Sequence, residues 1–333
     1  MADSKIVRVG LDIGTDAVKM AAISPMANKT TLVALGMKDV RGISKQELPE
    51  VIKQLAADSK ISQKDVGISI SGPSVIARFI SMPKMDKEAL KSAIKFEAEK
   101  FIPFDINDCI VDFQVMDRDK TENKLNILLV AVKKDVVLEK IKAAEAAGFS
   151  VRLVDVDGFA LANSFFKNFP AIGPDKACAL LNIGGTFTNL CILRNNSLYF
   201  ARDVALGTSE FLASISKKLN IDRKAAHELS ISAGDKTQEV TDCMKTIYAS
   251  LLEEVKLSFN YYENQGGKNI DEIYISGGGA GLLGIAEVFA ESFGSKPSVW
   301  KPLEFLDKST AGVDEGLLAH ESSFAIAAGL ALR

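Results

Sequence analysis

The sequence predicts an α/β protein built from two similar domains that face each other across a cleft. Three observations point there. Strand-like apolar runs alternate with helical ones through most of the 333 residues. A strand–turn–strand motif near the start, Leu11-Asp12-Ile13-Gly14-Thr15, is echoed by Leu181-Asn182-Ile183-Gly184-Gly185-Thr186, about half the chain later. Such a duplication is the mark of two related units, and a chain of this length can supply a core for each.

In order, Ile6–Ile13, Val18–Ile23 and Thr31–Val40 read as a strand meander. Lys45–Ser59 reads as a helix and Val66–Ile70 as a further strand. The strand SVIARFISMP follows, then an amphipathic helix over Lys87–Phe101 that stops before Pro103. CIVDFQVMD and KLNILLVAV are two more strands, and the helix Asp135–Ala147 ends at Gly148. This β-α-β-β-α block, about 74–148, reads as a compact subdomain inserted in the first domain. VRLVDVD resumes the main sheet and leads into a helix over Gly158–Lys167. The stretch NFPAIGPDKA, with two prolines and a glycine, marks the boundary between a first domain (1–170) and a second (171–333). FAIAAGLAL, near the C-terminus, reads as a buried helix that returns to the first domain.

Composition excludes several classes. With 47% hydrophobic and 25% charged residues the chain is globular. A net charge of −3 offers no basic face for nucleic acid. The four cysteines are scattered and only two histidines are present, so neither a metal cluster nor a disulfide framework is expected. No signal peptide and no run of ~20 apolar residues stands out. The expectation is a cytoplasmic protein without direct membrane insertion, held at a membrane through a partner.

The turns carry the chemistry. A glycine-bearing turn between strands aims backbone N–H groups into a concavity suited to phosphate oxygens. Thr15 adds a hydroxyl donor, and Lys19 a cation able to reach a β- or γ-phosphate. Asp12, at the strand end, is the candidate Mg²⁺ residue, since that ion keeps its waters and takes few carboxylates. Gly184, Gly185 and Thr186 repeat the arrangement. A third cluster, Gly277-Gly278-Gly279-Ala280, follows a strand and precedes a helix expected from about Gly281. Backbone without side chains at such a corner lets a flat or anionic ligand approach closely. The upstream helix LLEEVKLSFNYYENQ offers Glu253 or Glu254, with Lys256, to a ribose or adenine.

Together the two turns, the glycine cluster and the ending SSFAIAAGLALR resemble the actin-like ATPase superfamily. The resemblance implies the actin-like (ribonuclease H-like) fold, ATP with Mg²⁺, phosphates at both turns and adenosine at the glycine cluster. Within that superfamily, IKFEAEKFIPFDINDCIVDFQV (Ile94–Val115) is similar to the PilM family of type IV pilus assembly proteins, which have an E-x-E-x-[FY]-I-P-F segment followed by D-F-Q-V. FARDVALGTSEF resembles that family's R-D-[IV]-x-x-G-G segment, which adds Gly207 to the cofactor-binding set. The resemblance implies an FtsA-like inserted subdomain and docking of the cytoplasmic tail of a PilN-like inner-membrane protein, with self-association left open. An FtsA-like division filament and a metabolic kinase of the same superfamily are the competing readings.

One departure matters. Asn182 stands where the superfamily usually has aspartate, so an acceptor oxygen is kept and a negative charge is lost. Phosphoryl transfer depends on such electrostatics, so ATP binding is expected to survive with slow or absent hydrolysis. Asp157 is a candidate for water positioning or for a helix cap. Phe96, Phe101, Ile102, Phe104 and Phe113 form either the core of the inserted subdomain or a groove for a partner peptide.

Overall fold

The computed structural model describes residues 6–26, 29–116, 123–169, 172–173, 176–309 and 313–333. The sequence-marked boundary stretch lies partly outside these residues, at 170–171 and 174–175.

The first half begins with the meander β1 (Arg8–Ile13), β2 (Ala17–Met26) and β3 (Lys29–Asp39), followed by α1 (Leu48–Asp58) and β4 (Asp65–Ile70). The chain then leaves for a separate sheet: β5 (Val75–Pro83), α2 (Lys87–Glu99), β6 (Cys109–Met116) and β7 (Lys124–Lys133). It returns through α3 (Lys134–Ala146) to β8 (Ser150–Val156) and α4 (Asp157–Asn168). β4 lies parallel to both β1 and β8, giving the order β3-β2-β1-β4-β8. β1 is buried from Val9 onward, which is why it reads as a continuous apolar run and not as an alternation.

The second half repeats this plan. β9 (Ala177–Ile183), β10 (Thr188–Arg194) and β11 (Ser197–Val204) form a meander, followed by α5 (Thr208–Leu219), α6 (Arg223–Ile231) and the long α7 (Thr237–Asn264). β12 (Glu272–Ser276), α8 (Ile285–Phe293) and β13 (Ser298–Val299) complete the order β11-β10-β9-β12-β13. Asn195 and Asn196 both take positive φ between β10 and β11, as a two-residue hairpin turn whose twist matches its strands requires. The chain ends with α9 (Glu315–Ala319) and α10 (Ala325–Ala331). The fold is the actin-like α/β fold.

The inserted sheet, ordered β5-β7-β6 and antiparallel throughout, is covered on both faces. Ile80, Met82, Ile127 and Leu129 meet Leu90, Ile94 and Ala98 of α2. The alternate residues Ala77, Phe79, Leu128 and Val130 pack with Leu161 and Phe165 of α4 and with Cys191 and Leu198 of the second sheet. α2 starts at Asp86, whose carboxylate accepts the N–H groups of Glu88 and Ala89. α3 sends Ile141 and Ala144 into the core of the first sheet, as the crossover between parallel strands should. Ile102 is core, Phe104 and Phe113 pack against it, and Phe96 (69%) and Phe101 (39%) are exposed.

All seven residues of α10 are buried, and the helix packs on α4, β1 and β2 of the first domain. Close approach depends on Gly329, where a Cβ would land on the carbonyl oxygen of Ala160. The glycine cluster differs from expectation. Gly278–Gly281 form a single 3₁₀ turn, and α8 begins only at Ile285, after Gly284 at φ +79°. Leu282 and Ile285 both sink into the second core, which draws the chain inward before a helix can start.

Candidate functional site

The two halves meet at their hairpin turns. Thr186, in the β9–β10 turn, donates its hydroxyl to Thr15 Oγ1 in the β1–β2 turn at 3.0 Å. Beside them, Thr208 Oγ1 donates to Asp16 Oδ2 at 2.6 Å. The second turn is held from behind by the start of α5: the N–H groups of Thr208 and Ser209 donate to the carbonyls of Gly184 and Gly185, at 2.8 and 2.9 Å. Gly207 is needed for that contact, because a Cβ there would collide with both carbonyls.

Behind each turn sits a polar pair, part-buried in the first sheet and buried in the second. Lys19 Nζ lies 2.9 Å from Asp12 Oδ2, linking the first two strands by charge. In the second sheet, Asn182 Nδ2 donates to Asn189 Oδ1 at 2.9 Å. Asn182 Oδ1 in turn accepts from Ser276 Oγ at 3.3 Å. Asn189 Nδ2 donates to Asp203 Oδ1 at 2.8 Å, and burial pushes the Asp203 carboxyl up to about 6.

The turns line a cavity of about 400 Å³. Asp12, Gly14, Thr15 and Lys19 line it from the first domain; Asn182, Gly184, Gly185, Thr186 and Gly278 line it from the second. Gly278 is open, with nothing within 4 Å of where a Cβ would stand. Gly277, Gly279 and Ala280 shape that turn from behind: Gly277 takes φ +86°, and Gly279 and Ala280 are buried. Glu254 and Lys256 do not line the cavity. Glu254 pairs with Arg202 at 2.6 Å, and the Lys256 ammonium lies over the Phe293 ring at 5.9 Å. Neither residue that α7 was expected to offer to adenosine therefore reaches this cavity.

The apolar end of the cavity comes instead from α5, α6 and the glycine turn, as Leu212, Ile231 and Leu282. His227, on the same face of α6, is kept below the usual histidine range by burial first and by the nearby Arg41 second. Asp157, the first residue of α4, also lines the cavity; its buried Oδ1 has no hydrogen-bond partner among the described residues. Asn189 escaped sequence reading although a signal existed: it follows Asn182 by seven residues, as Lys19 follows Asp12. Ile231 had no signal, since α6 reads as an ordinary amphipathic helix. Among the described residues no group of three or more His, Cys, Asp or Glu could hold a metal ion, and no helix is long and apolar enough to cross a membrane.

Known proteins share this architecture. The structure of the PilM–PilN type IV pilus biogenesis complex matches with a TM-score of 0.87 at 26% identity, over 99% of this chain and 98% of that one. Ethanolamine utilization protein EutJ from Carboxydothermus hydrogenoformans matches with a TM-score of 0.59 at 12% identity, over 98% and 89% of the two chains. MreB5 of Spiroplasma citri bound to ADP matches with a TM-score of 0.50 at 12% identity, over 97% and 94%. The last two establish the fold alone. A sequence model of the family described as type IV pilus assembly protein PilM matches residues 10–333. The chain belongs to the PilM family of type IV pilus assembly proteins.

Proposed function

We propose that this chain is an ATP-binding assembly protein of the inner-membrane platform of the type IV pilus machine. In this reading it works in the cytoplasm, peripheral to the membrane, and its inserted sheet docks the N-terminal tail of a PilN-like membrane protein. The observation that supports it best is the likeness, over 99% of the chain, to the PilM–PilN complex. Nothing in the cleft favours a kinase or a division filament over that reading.

The cleft fits a nucleoside triphosphate. Phosphates belong between the two turns, where Lys19 supplies a cation and the Gly184–Thr186 backbone approaches closely. The base belongs between Ile231 and Leu282, beside the open Gly278. Mg²⁺ needs one or two carboxylates beside the phosphates it arrives with, and Asp12 and the unpartnered oxygen of Asp157 are available in the same cavity. When bound, the ion would offset phosphate charge. The neutral Asn182 supplies no anion to orient an attacking water, so turnover is expected to be slow.

The inserted sheet has a free edge at β6, with Ile110 and Val115 exposed on it and Phe96 and Phe101 exposed nearby in sequence. An extended tail can add to such an edge and place apolar anchors against it.

Calorimetry with Mg-ATP tests the nucleotide site. At Gly278, which lines the cavity, nothing lies within 4 Å of where the Cβ of Gly278→Val would stand. The variant should keep the melting temperature and weaken ATP by at least about tenfold, or ~1.4 kcal/mol. Unchanged affinity would overturn the assignment. A synthetic tail peptide of the PilN-like partner, titrated against Phe96→Ser with Phe101→Ser, tests the docking site in the same way.

A further inference from the structure

The inner wall of the cleft holds a contact that nucleotide binding alone does not explain. Gly72 lies where the chain leaves β4 for the inserted sheet. It takes φ +103°, and a Cβ there would stand 3.1 Å from the Phe187 ring. Phe187 belongs to the second phosphate turn, where its carbonyl accepts the N–H of Gly184 at 2.9 Å. The Gly72 N–H donates to Asp203 Oδ2 at 2.7 Å. The other oxygen of Asp203 takes Asn189, and Asn189 takes Asn182. One short backbone segment is thus gripped twice by the second domain, by a ring and by a carboxylate, and both grips lead back to residues lining the cleft.

The grip also leads forward. The Gly72 carbonyl accepts the N–H of Val75 at 3.0 Å, and that of Ser74 accepts the N–H of Lys133 at 3.3 Å. These bonds fix the ends of β5 and β7, the two strands whose Ala77, Phe79 and Val130 pack on the second sheet beside Leu198 and Ala201. β11 carries both Ala201 and Asp203, so the strand that supports the inserted sheet also holds its entry point.

We propose that Phe187 and Asp203 clamp Gly72, and that this clamp passes the state of the second phosphate turn to the seat of the inserted sheet. The clamp exists without ligand; its control by a nucleoside triphosphate rests on the proposed function. Asp203 is a positioning residue that lies outside the cavity lining, and the charged groups near it are Asp157 and Lys140.

Hydrogen exchange on the full chain, read by mass spectrometry, tests both halves. Without nucleotide, Asp203→Asn and Phe187→Leu should each speed exchange in peptides covering 72–83 and 124–133 by about tenfold, while 8–26 stays as in the parent. Equal exchange in parent and variants would overturn the clamp. The melting temperature identifies a variant that fails to fold, and the other variant then decides. With Mg-ATP, the parent should gain protection in the same two segments. Asp203→Asn should bind ATP within about threefold of the parent, by calorimetry, yet gain no protection there. ATP binding to the parent without any change at 72–83 and 124–133 would overturn the transmission. No ATP binding at all would defeat the nucleotide reading, and transmission with it, while the ligand-free comparison still decides the clamp.

Discussion

Asn182 and Asn189 face each other across β9 and β10 in the register that Asp12 and Lys19 occupy across β1 and β2. Each half therefore carries a polar cross-strand pair behind its glycine turn, built with different chemistry. An ion pair in a partly buried site carries a desolvation cost that only good geometry repays. The amide pair avoids that cost, and its second Asn has a donor left over for Asp203. The charge of the cleft floor is consequently concentrated on the first-domain side.

Asn182→Asp is expected to destabilise the fold. It removes the donor to Asn189 and sets two acceptor oxygens against each other. If Asn189 turns its amide over, Asp203 loses a donor instead; either way one buried bond is lost, a cost of about 1–3 kcal/mol. Adding Asn189→Lys rebuilds the pair found at Asp12 and Lys19 and should recover at least half of the loss. Urea midpoints of the four proteins form a double-mutant cycle. A single variant as stable as the parent would show that the amide pair is not a structural unit.

These residues also mark where reading the sequence succeeded and where it stopped. The repeat was legible because glycine and the flanking apolar strands leave a local pattern. The glycine turn at Gly278 was legible for the same reason. Asn189 was hidden because a lone polar residue in a strand means little until its register partner is known. Glu254 read as a ligand candidate because α7 is charged along its exposed face, and only the fold brings Arg202 beside that carboxylate. The two-sided burial of the inserted sheet left no local sign: Ala77 and Phe79 need the second sheet as a partner, and nothing local names it.

Asp203 should make stability depend on pH through the clamp. Burial, with the nearby Asp157 adding to it, pushes this carboxyl up to about 6, against the hydrogen bonds from Asn189 and Gly72. An unfolded aspartate loses its proton near ~3.9. Between those values the native chain binds more protons than the unfolded one, so this group's contribution to stability falls as pH rises through the window. On going from pH 7 to about 4, the parent should gain stability relative to Asp203→Asn. Urea midpoints at several pH values measure this, and a constant difference between the two proteins would contradict it.

Gly329→Ala tests how α10 is held. The new methyl would fall on the Ala160 carbonyl, which is backbone and cannot rotate away. Forcing the helices apart should cost at least ~3 kcal/mol, the upper range for overpacking a core. Ala328→Gly, one position away, is the control for helix propensity and should cost about 1 kcal/mol plus the lost packing of one methyl. Thermal melts compare the two. Equal effects would mean that α10 and α4 can move apart freely.

The base end of the cleft separates the structural reading from the one that α7 suggested. Ile231 is 40% exposed and faces the glycine turn, with its Cγ2 4.0 Å from where a Gly281 Cβ would stand. Burying ~60 Å² of apolar surface between base and side chain is worth ~1.5 kcal/mol. Ile231→Asp removes that contact and adds a charge that must be desolvated, so ATP affinity should fall at least tenfold, by ~1.4 kcal/mol. Tripolyphosphate, which carries the phosphates without a base, should bind the variant and the parent alike. Glu254→Ala should leave both ligands unaffected, because Glu254 lies outside the cavity with its carboxylate committed to Arg202. Calorimetry with the two ligands gives the answer. If Glu254→Ala weakens ATP but not tripolyphosphate, while Ile231→Asp does neither, the base lies against α7 and the cleft has been read from the wrong end.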